Sequence, residues 1–160
     1  MLSAPLSARV CFARSLHKFR IVRGLSGDAL ARLADVGRNT PLNIEKSASN
    51  VLLDTIVRFS AALQVDPCAF LTEAEFSPPT EKRLTSLRSD VAANVREVRG
   101  MRRLSQDGLT EQAGLHRGYV WQLESAATNP SLESLEKLAA VLDVKVWQLL
   151  APRIQVSAHD

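Results

Sequence analysis

Cysteine is scarce in this chain, with two in 160 residues, and neither belongs to a Cys-x-x-Cys pair or to a histidine ligand pattern. A disulfide framework and a structural zinc are therefore excluded as sources of order, and Cys11 and Cys68 are expected as buried, reduced thiols in a cytoplasmic protein. No run of about 18 apolar residues occurs, so no membrane contact is expected. Paired carboxylates, a nucleophile beside a base, a metal-ligand cluster and a phosphate-cradling glycine loop are missing too. The sequence thus gives no reason to expect an enzyme, a cofactor or a metal. Neither sign of charge dominates: the formal net charge is +3, and all of that excess lies in residues 1–73. Net charge alone argues weakly for nucleic acid. The stretch before Asp28 lacks acids and contains Ser and Arg, as a transit peptide would, but its later half is needed for the first helix described below.

What the chain does have is an internal repeat. Residues 12–71 recur as 91–150 at a constant offset of 79 without a gap. Identical pairs include Arg20/Arg99, Leu25/Leu104, Ser26/Ser105, Asp28/Asp107, Arg38/Arg117, Glu45/Glu124, Asn50/Asn129 and Leu53/Leu132. The unit is too long for a solenoid repeat and suits a small five-helix domain, so the expected fold is all-α with two tandem copies. Each copy would have a small core, near the lower limit for folding without crosslinks.

In the second copy, apolar residues at helical spacing are broken by cap and turn residues. A first helix is predicted near Val91–Arg102. Ser105 caps a second over Gln106–Ala113, with Asp107 in the first turn and Gly114 closing it in the left-handed region. A third is predicted from Arg117 to Glu124, packing through Val120 and Leu123. A fourth follows Pro130 and Ser131, and a short fifth contains Val146, Leu149 and Leu150.

The segments LSQDGLTEQAGLHRGYVWQLE and NPSLESLEKLAAVLDVKVWQLL resemble the lambda-repressor and Cro-like, or XRE, helix-turn-helix DNA-binding family over nearly all of residues 91–150. The major groove of DNA admits one α-helix, held at its depth by a second lying across the backbone. The resemblance implies that Arg117, Gly118, Trp121 and Gln122 face base edges. It implies that Gln106 bonds a phosphate, and that Tyr119 packs in part against the first helix with its hydroxyl free for phosphate. Arg102, Arg103, Thr128 and Asn129 complete the expected DNA-contacting set. His116 is expected to cap the third helix. The family's semi-buried pair, Arg99 with Glu124, is matched in the first copy by Arg20 with Glu45, which points to a structural role.

The first copy departs from this pattern where DNA would be read. Gly27 replaces Gln106, Leu42 replaces Trp121 as bare apolar surface, and Pro41 stands opposite Val120. With Thr40 as cap and Pro41 opening the helix, a recognition helix lacking its N-terminal turn is predicted. Arg38, Asn39 and Asn43 remain as secondary DNA-binding candidates. Phe12, Leu16, Phe19, Leu30, Leu33, Ile56, Phe59, Leu63, Phe70 and Leu71 supply the predicted core, and Asp66-Pro67 opens its last helix.

The domain reading follows. Residues 1–73 form a degenerate helix-turn-helix domain for dimerisation, docking or secondary DNA contact. Residues 74–90 are a linker and helix extension running from Thr80 through Leu84 and Leu87, docked on the first copy, paired with a symmetry mate, or solvated. Residues 91–152 form the DNA-binding domain, and 153–160 a tail. The expected function is sequence-specific transcriptional regulation, as a repressor that binds a palindromic operator on double-stranded DNA as a homodimer. A covalent pseudo-dimer reading unlike half-sites is the variant. The alternative is a protein-binding regulator, an antiactivator or antitoxin, that masks a regulatory protein partner.

Overall fold

Side-chain oxygens start most of the helices. In the computed structural model, which describes residues 5–153, Ser7 accepts the Val10 amide at 3.3 Å and opens α1 (Ala8–Val22). Ser26 accepts the Ala29 amide at 3.1 Å and opens α2 (Gly27–Ala34). The chain continues through α3 (Thr40–Ser47) and α4 (Leu53–Leu63) to a 3-10 turn, Pro67–Phe70, where Asp66 accepts the Cys68 amide at 2.9 Å. Next come α5 (Glu81–Met101), opened by Thr80, and α6 (Gln106–Gln112), opened by Ser105. Then follow α7 (Tyr119–Glu124), α8 (Leu132–Leu142), opened by Ser131, and α9 (Val146–Leu150). Each such cap satisfies an amide that the first helical turn leaves without a partner. The starts Gly27, Thr40, Leu53 and Pro67 stand 79 residues before Gln106, Tyr119, Leu132 and Val146. The predicted tail beyond residue 153, and residues 1–4, lie outside the described residues. No helix among the described residues is long and apolar enough to cross a membrane.

Burial is continuous across the chain. Phe12, Leu16, Leu30, Ile56, Phe59, Leu63 and Phe70 join Leu87, Val91, Val95, Leu109, Val120, Leu132, Leu138 and Leu149 in one apolar cluster. Phe12 packs on Phe59 and Phe70 at centroid separations of 6.2 and 4.7 Å. Helix α1 lies against α3 and α8, and α5 against α4, α7 and α9. The helix extension that begins at Thr80 is docked rather than solvated. Leu87 is fully buried, and Arg83 reaches Asp66 at 3.1 Å, Asp90 at 3.0 Å and the Leu150 carbonyl. Arg88 Nε donates to Asp54 Oδ1 at 2.9 Å.

Four expectations about the first half need correction. Leu33 is 61% exposed, because it falls on the outer side of α2 while Leu30, Ala31 and Ala34 face inward. Cys11 is only half-buried, whereas Cys68 is fully buried. The cap of α3 is Asn39, so Thr40 is the first residue and Pro41 the second; α3 starts level with α7 and no turn is lost. Proline is tolerated there because a second-position amide has no partner within the helix. Leu42 is not bare surface either. It lies over Gly27, and a Cβ at position 27 would come within 2.7 Å of Leu42 Cγ.

Candidate nucleic-acid interface

The junction of α6 and α7 begins with two glycines at positive φ. Gly114 (φ +66°) ends α6 as expected, and Gly118 (φ +81°) is the N-cap of α7. A side chain at either position would be strained. The predicted start at Arg117 is thus corrected to Tyr119: Arg117 and Gly118 form the turn that leads into the helix. Val120 and Leu123 point into the core as predicted. Thr110, which sequence reasoning missed, fixes the two helices together. Its hydroxyl accepts the Val120 amide at 3.3 Å and donates to the Gln106 carbonyl at 2.8 Å. That amide lies in the first turn of α7, where no helix carbonyl is available.

Behind α7 sits the expected ion pair. Arg99 donates from Nε to Glu124 Oε1 at 2.5 Å and from Nη2 to Oε2 at 3.0 Å, while Nη1 donates to the Leu104 carbonyl at 2.8 Å. The Glu124 side chain is 4% exposed, so the hydrogen-bonded pair is held in a dry setting and the carboxylate raises the Arg99 pKa above its ordinary value. In the first half Arg20 does the same, with Nε and Nη2 on Glu45 at 2.6 and 2.9 Å and Nη1 on the Leu25 carbonyl at 2.9 Å. His17 Nδ1 adds a contact to Glu45 at 2.8 Å. Burial disfavours the ionised Glu45, but hydrogen bonds from Arg20 and His17 outweigh it and hold the carboxyl below its usual range.

Arg117, Trp121 and Gln122 are exposed at this junction, with Trp121 at 61% exposure. None of their side chains has a hydrogen bond or ion pair among the described residues. Gly118 presents backbone between them. A guanidinium, an indole and a carboxamide free on one short helix and the turn before it make a donor-rich edge of the kind that pairs with base edges. Gln106 stands beside this edge at the start of α6, but Nε2 donates to Glu124 Oε2 at 2.7 Å, which leaves one amide hydrogen for a phosphate. Arg103 (φ +55°) is exposed, and Thr128 is half-buried.

Other expected contacts have partners within the chain. Tyr119 is 8% exposed; burial raises its pKa, against the effect of a hydrogen bond with Ser134, so the hydroxyl is not free for phosphate. Its ring meets His116 edge-on at 5.1 Å. His116 contributes its carbonyl to the Tyr119 amide at 3.0 Å, while its ring faces the Arg117 carbonyl rather than capping α7. Arg102 turns to the end of α8, where Nε donates to the Leu142 carbonyl at 3.0 Å and Nη2 lies 3.7 Å from Asp143. Asn129 bonds the other half of the chain through Oδ1, which accepts the Asp54 amide at 3.0 Å. On α3 and the turn before it, Asn39 and Asn43 are exposed, but Arg38 is held by Asp28 at 2.8 Å.

Comparison with known proteins agrees with this geometry. The helix-turn-helix family HTH_3 matches residues 95–146, the stretch that holds α6 and α7. A hypothetical transcription factor of Neisseria meningitidis is 42% identical over 66 residues, 41% of this chain and 62% of that protein. Control protein C.SmaI of Serratia marcescens is 36% identical over 73 residues, 46% of this chain and 87% of that protein. The HTH-type transcriptional regulator SinR of Bacillus subtilis is 38% identical over 61 residues, 38% of this chain and 55% of that protein. The chain thus spans less than two thirds of the Neisseria protein and of SinR.

Proposed function

The chain belongs to the helix-turn-helix family, and from that premise we propose that it is a sequence-specific DNA-binding transcriptional regulator that reads DNA with α7 and the turn before it. One observation carries this reading: Arg117, Trp121 and Gln122 are exposed and unpartnered on an element locked from behind by Thr110 and by the Arg99–Glu124 pair. A rigid support with a free outer edge is what base readout needs, because a misplaced fork forfeits its paired hydrogen bonds. Arg117 takes the two acceptors of a guanine, Gln122 an adenine, and Trp121 a thymine methyl or a sugar. Gln106 and the free amides at the start of α6 hold the neighbouring phosphate. The relatives that support the regulatory assignment carry names of a transcription factor, a control protein and a transcriptional regulator. Regulation is by occupancy: the protein sits on promoter DNA, excludes polymerase and so represses.

The large exposed area of Trp121 also favours a second reading, in which the same edge masks a regulatory protein. Selection of duplexes from a random pool with the purified full chain tests the two. Enrichment of a defined sequence, lost in Arg117→Ala and weakened by salt, supports DNA reading. Failure to enrich any sequence, with salt-insensitive capture of a protein, supports masking.

A further inference from the structure

The segments 50–54 and 129–133 run antiparallel to one another, and each bond donated across them by a backbone amide has a mirror partner under exchange of residue n with residue n+79. The Leu53 amide donates to the Pro130 carbonyl at 2.8 Å, and the Leu132 amide to the Val51 carbonyl at 2.8 Å. Asp54 N donates to Asn129 Oδ1 at 3.0 Å, and Glu133 N to Asn50 Oδ1 at 3.1 Å. Arg88 pairs with Asp54, and Arg9 reaches Glu133 at 4.0 Å. Positions that are their own images meet on the axis: Leu52 bridges Ser131, and Cys68 Sγ lies 3.4 Å from the Trp147 carbonyl. Helix α1 packs on α8 as α4 packs on α5. Reciprocal contacts of this kind define an isologous, two-fold interface; a head-to-tail stack would not return them. The apolar residues on either side of the axis are buried, with Val51 at 2% exposure and Leu53 and Leu132 at zero.

The same axis exchanges α3 with α7. The homodimer expected from the sequence would need a two-fold mate for α7, and this chain already contains one, on a surface that is buried within itself. We propose that a single chain occupies a two-part operator alone, with α7 reading one half-site and the first half of the chain gripping the backbone of the other without reading bases. This rests on the assignment of α7 as the reading helix. The two ends of the pseudo-dimer are unequal in a way that suits such a division. On the α3 side Leu42 is folded onto Gly27, so the apolar group in place of Trp121 is drawn in, and Arg38, though exposed, shares its charge with Asp28 where Arg117 pairs with no carboxylate among the described residues. Yet the whole net positive charge of +3 belongs to residues 1–73, and positive charge supplies phosphate affinity that does not depend on sequence. The ligand is therefore an asymmetric duplex, specific on one side and permissive on the other.

The test uses the full chain and the duplex enriched by selection. Native mass measurement of the complex should give one chain per duplex. Hydroxyl-radical footprinting should show two protected backbone patches on one face, about 34 Å apart as for adjacent major-groove sites. Base substitution should change affinity in only one patch, and Asn43→Ala should leave the sequence preference unaltered. Two chains on a symmetric palindrome, or base preference in both patches, overturns the proposal while the reading by α7 survives. A single protected patch also overturns it. Absence of any Arg117-dependent enrichment removes the assignment of α7 and this proposal with it.

Discussion

Arg83 offers the sharpest test of how the halves are joined. Its guanidinium is 9% exposed and lies between the carboxylates of Asp66, 9% exposed, and Asp90, 18% exposed. It also donates to the Leu150 carbonyl at the end of α9. The residue thus ties the last turn of the first half, the start of α5 and the last helix of the second half at one buried point. Substituting Arg83→Met keeps much of the packing volume but strands two acids. Removing one partner of a buried charge pair costs about 3 to 5 kcal/mol, because the remaining charge has lost its water as well as its counter-ion. Asp66 keeps the Cys68 amide and Asp90 keeps Ser86 Oγ at 3.0 Å, which places the expected loss toward the lower end. For a fold of roughly 5 to 15 kcal/mol this is a large fraction. Urea unfolding at neutral pH measures it, with Arg83→Met/Asp66→Asn/Asp90→Asn as the charge-neutral control, since Asn preserves the cap at position 66. The triple variant should regain a good part of the loss. A single variant that loses less than about 1 kcal/mol would place Arg83 among wet surface pairs. A triple variant as unstable as the single would show that lost hydrogen bonds, and not stranded charge, set the penalty.

The other expectations concern separate parts of the molecule. Arg117→Ala should cost about 1 to 3 kcal/mol of binding to the selected duplex and relax preference at one base pair, measured by competition titration, whereas Asn43→Ala should change it little. Thr110→Ala should destabilise by about 1 to 3 kcal/mol by orphaning the Val120 amide, and adding Val120→Pro, which removes that amide, should cost less than the same proline does beside Thr110. Because Glu45 is held below its ordinary value, its contribution is fully present above the unfolded value of about 4.3 and is lost as pH falls through the folded one. Urea midpoints from pH 5 to pH 3 should therefore fall less steeply in Glu45→Gln. Burial raises the Cys68 thiol to about 12, so iodoacetamide at mildly alkaline pH should label Cys11 alone in the folded chain; equal labelling would contradict the burial.

Much of the fold was legible because it is written in local chemistry. Ser26, Ser105, Ser131, Thr80 and Asp66 each sit where a short oxygen-bearing side chain can close a first turn, and each does so. The Arg99–Glu124 and Arg20–Glu45 pairs were legible through the repeat itself. What escaped were the directions of single side chains. Arg102 and Asn129, expected as DNA contacts by position, also bond the carbonyl end of α8 and the amide of Asp54, partners that the sequence does not reveal. Tyr119 was read as half-free because the sequence does not reveal Ser134 as its neighbour. The two-fold pairing of 50–54 with 129–133 was equally hidden: identical Asn50 and Asn129 betray a repeat, but reciprocity is a property of long-range pairing.

The differences between the halves come in coupled sets. Val120 needs an acceptor for its amide and has Thr110; Pro41 has no amide, and Ala31 stands in the place of Thr110. Gln106 binds Glu124 and Trp121 is exposed, whereas Gly27 carries no side chain and Leu42 lies over it. Arg38 and Arg117 are the same residue with the same aspartate ten positions upstream, yet only Arg38 is paired. The backbone that follows differs: Gly118 turns at φ +81°, Asn39 at φ −89°. A side chain at position 27 would press on Leu42, and an alanine at position 110 would orphan the Val120 amide. The support for the reading helix and the chemistry of its outer edge are therefore separable. The first half keeps the Arg20–Glu45 lock and its place on the dyad, while Leu42 lies over Gly27 and Arg38 pairs with Asp28.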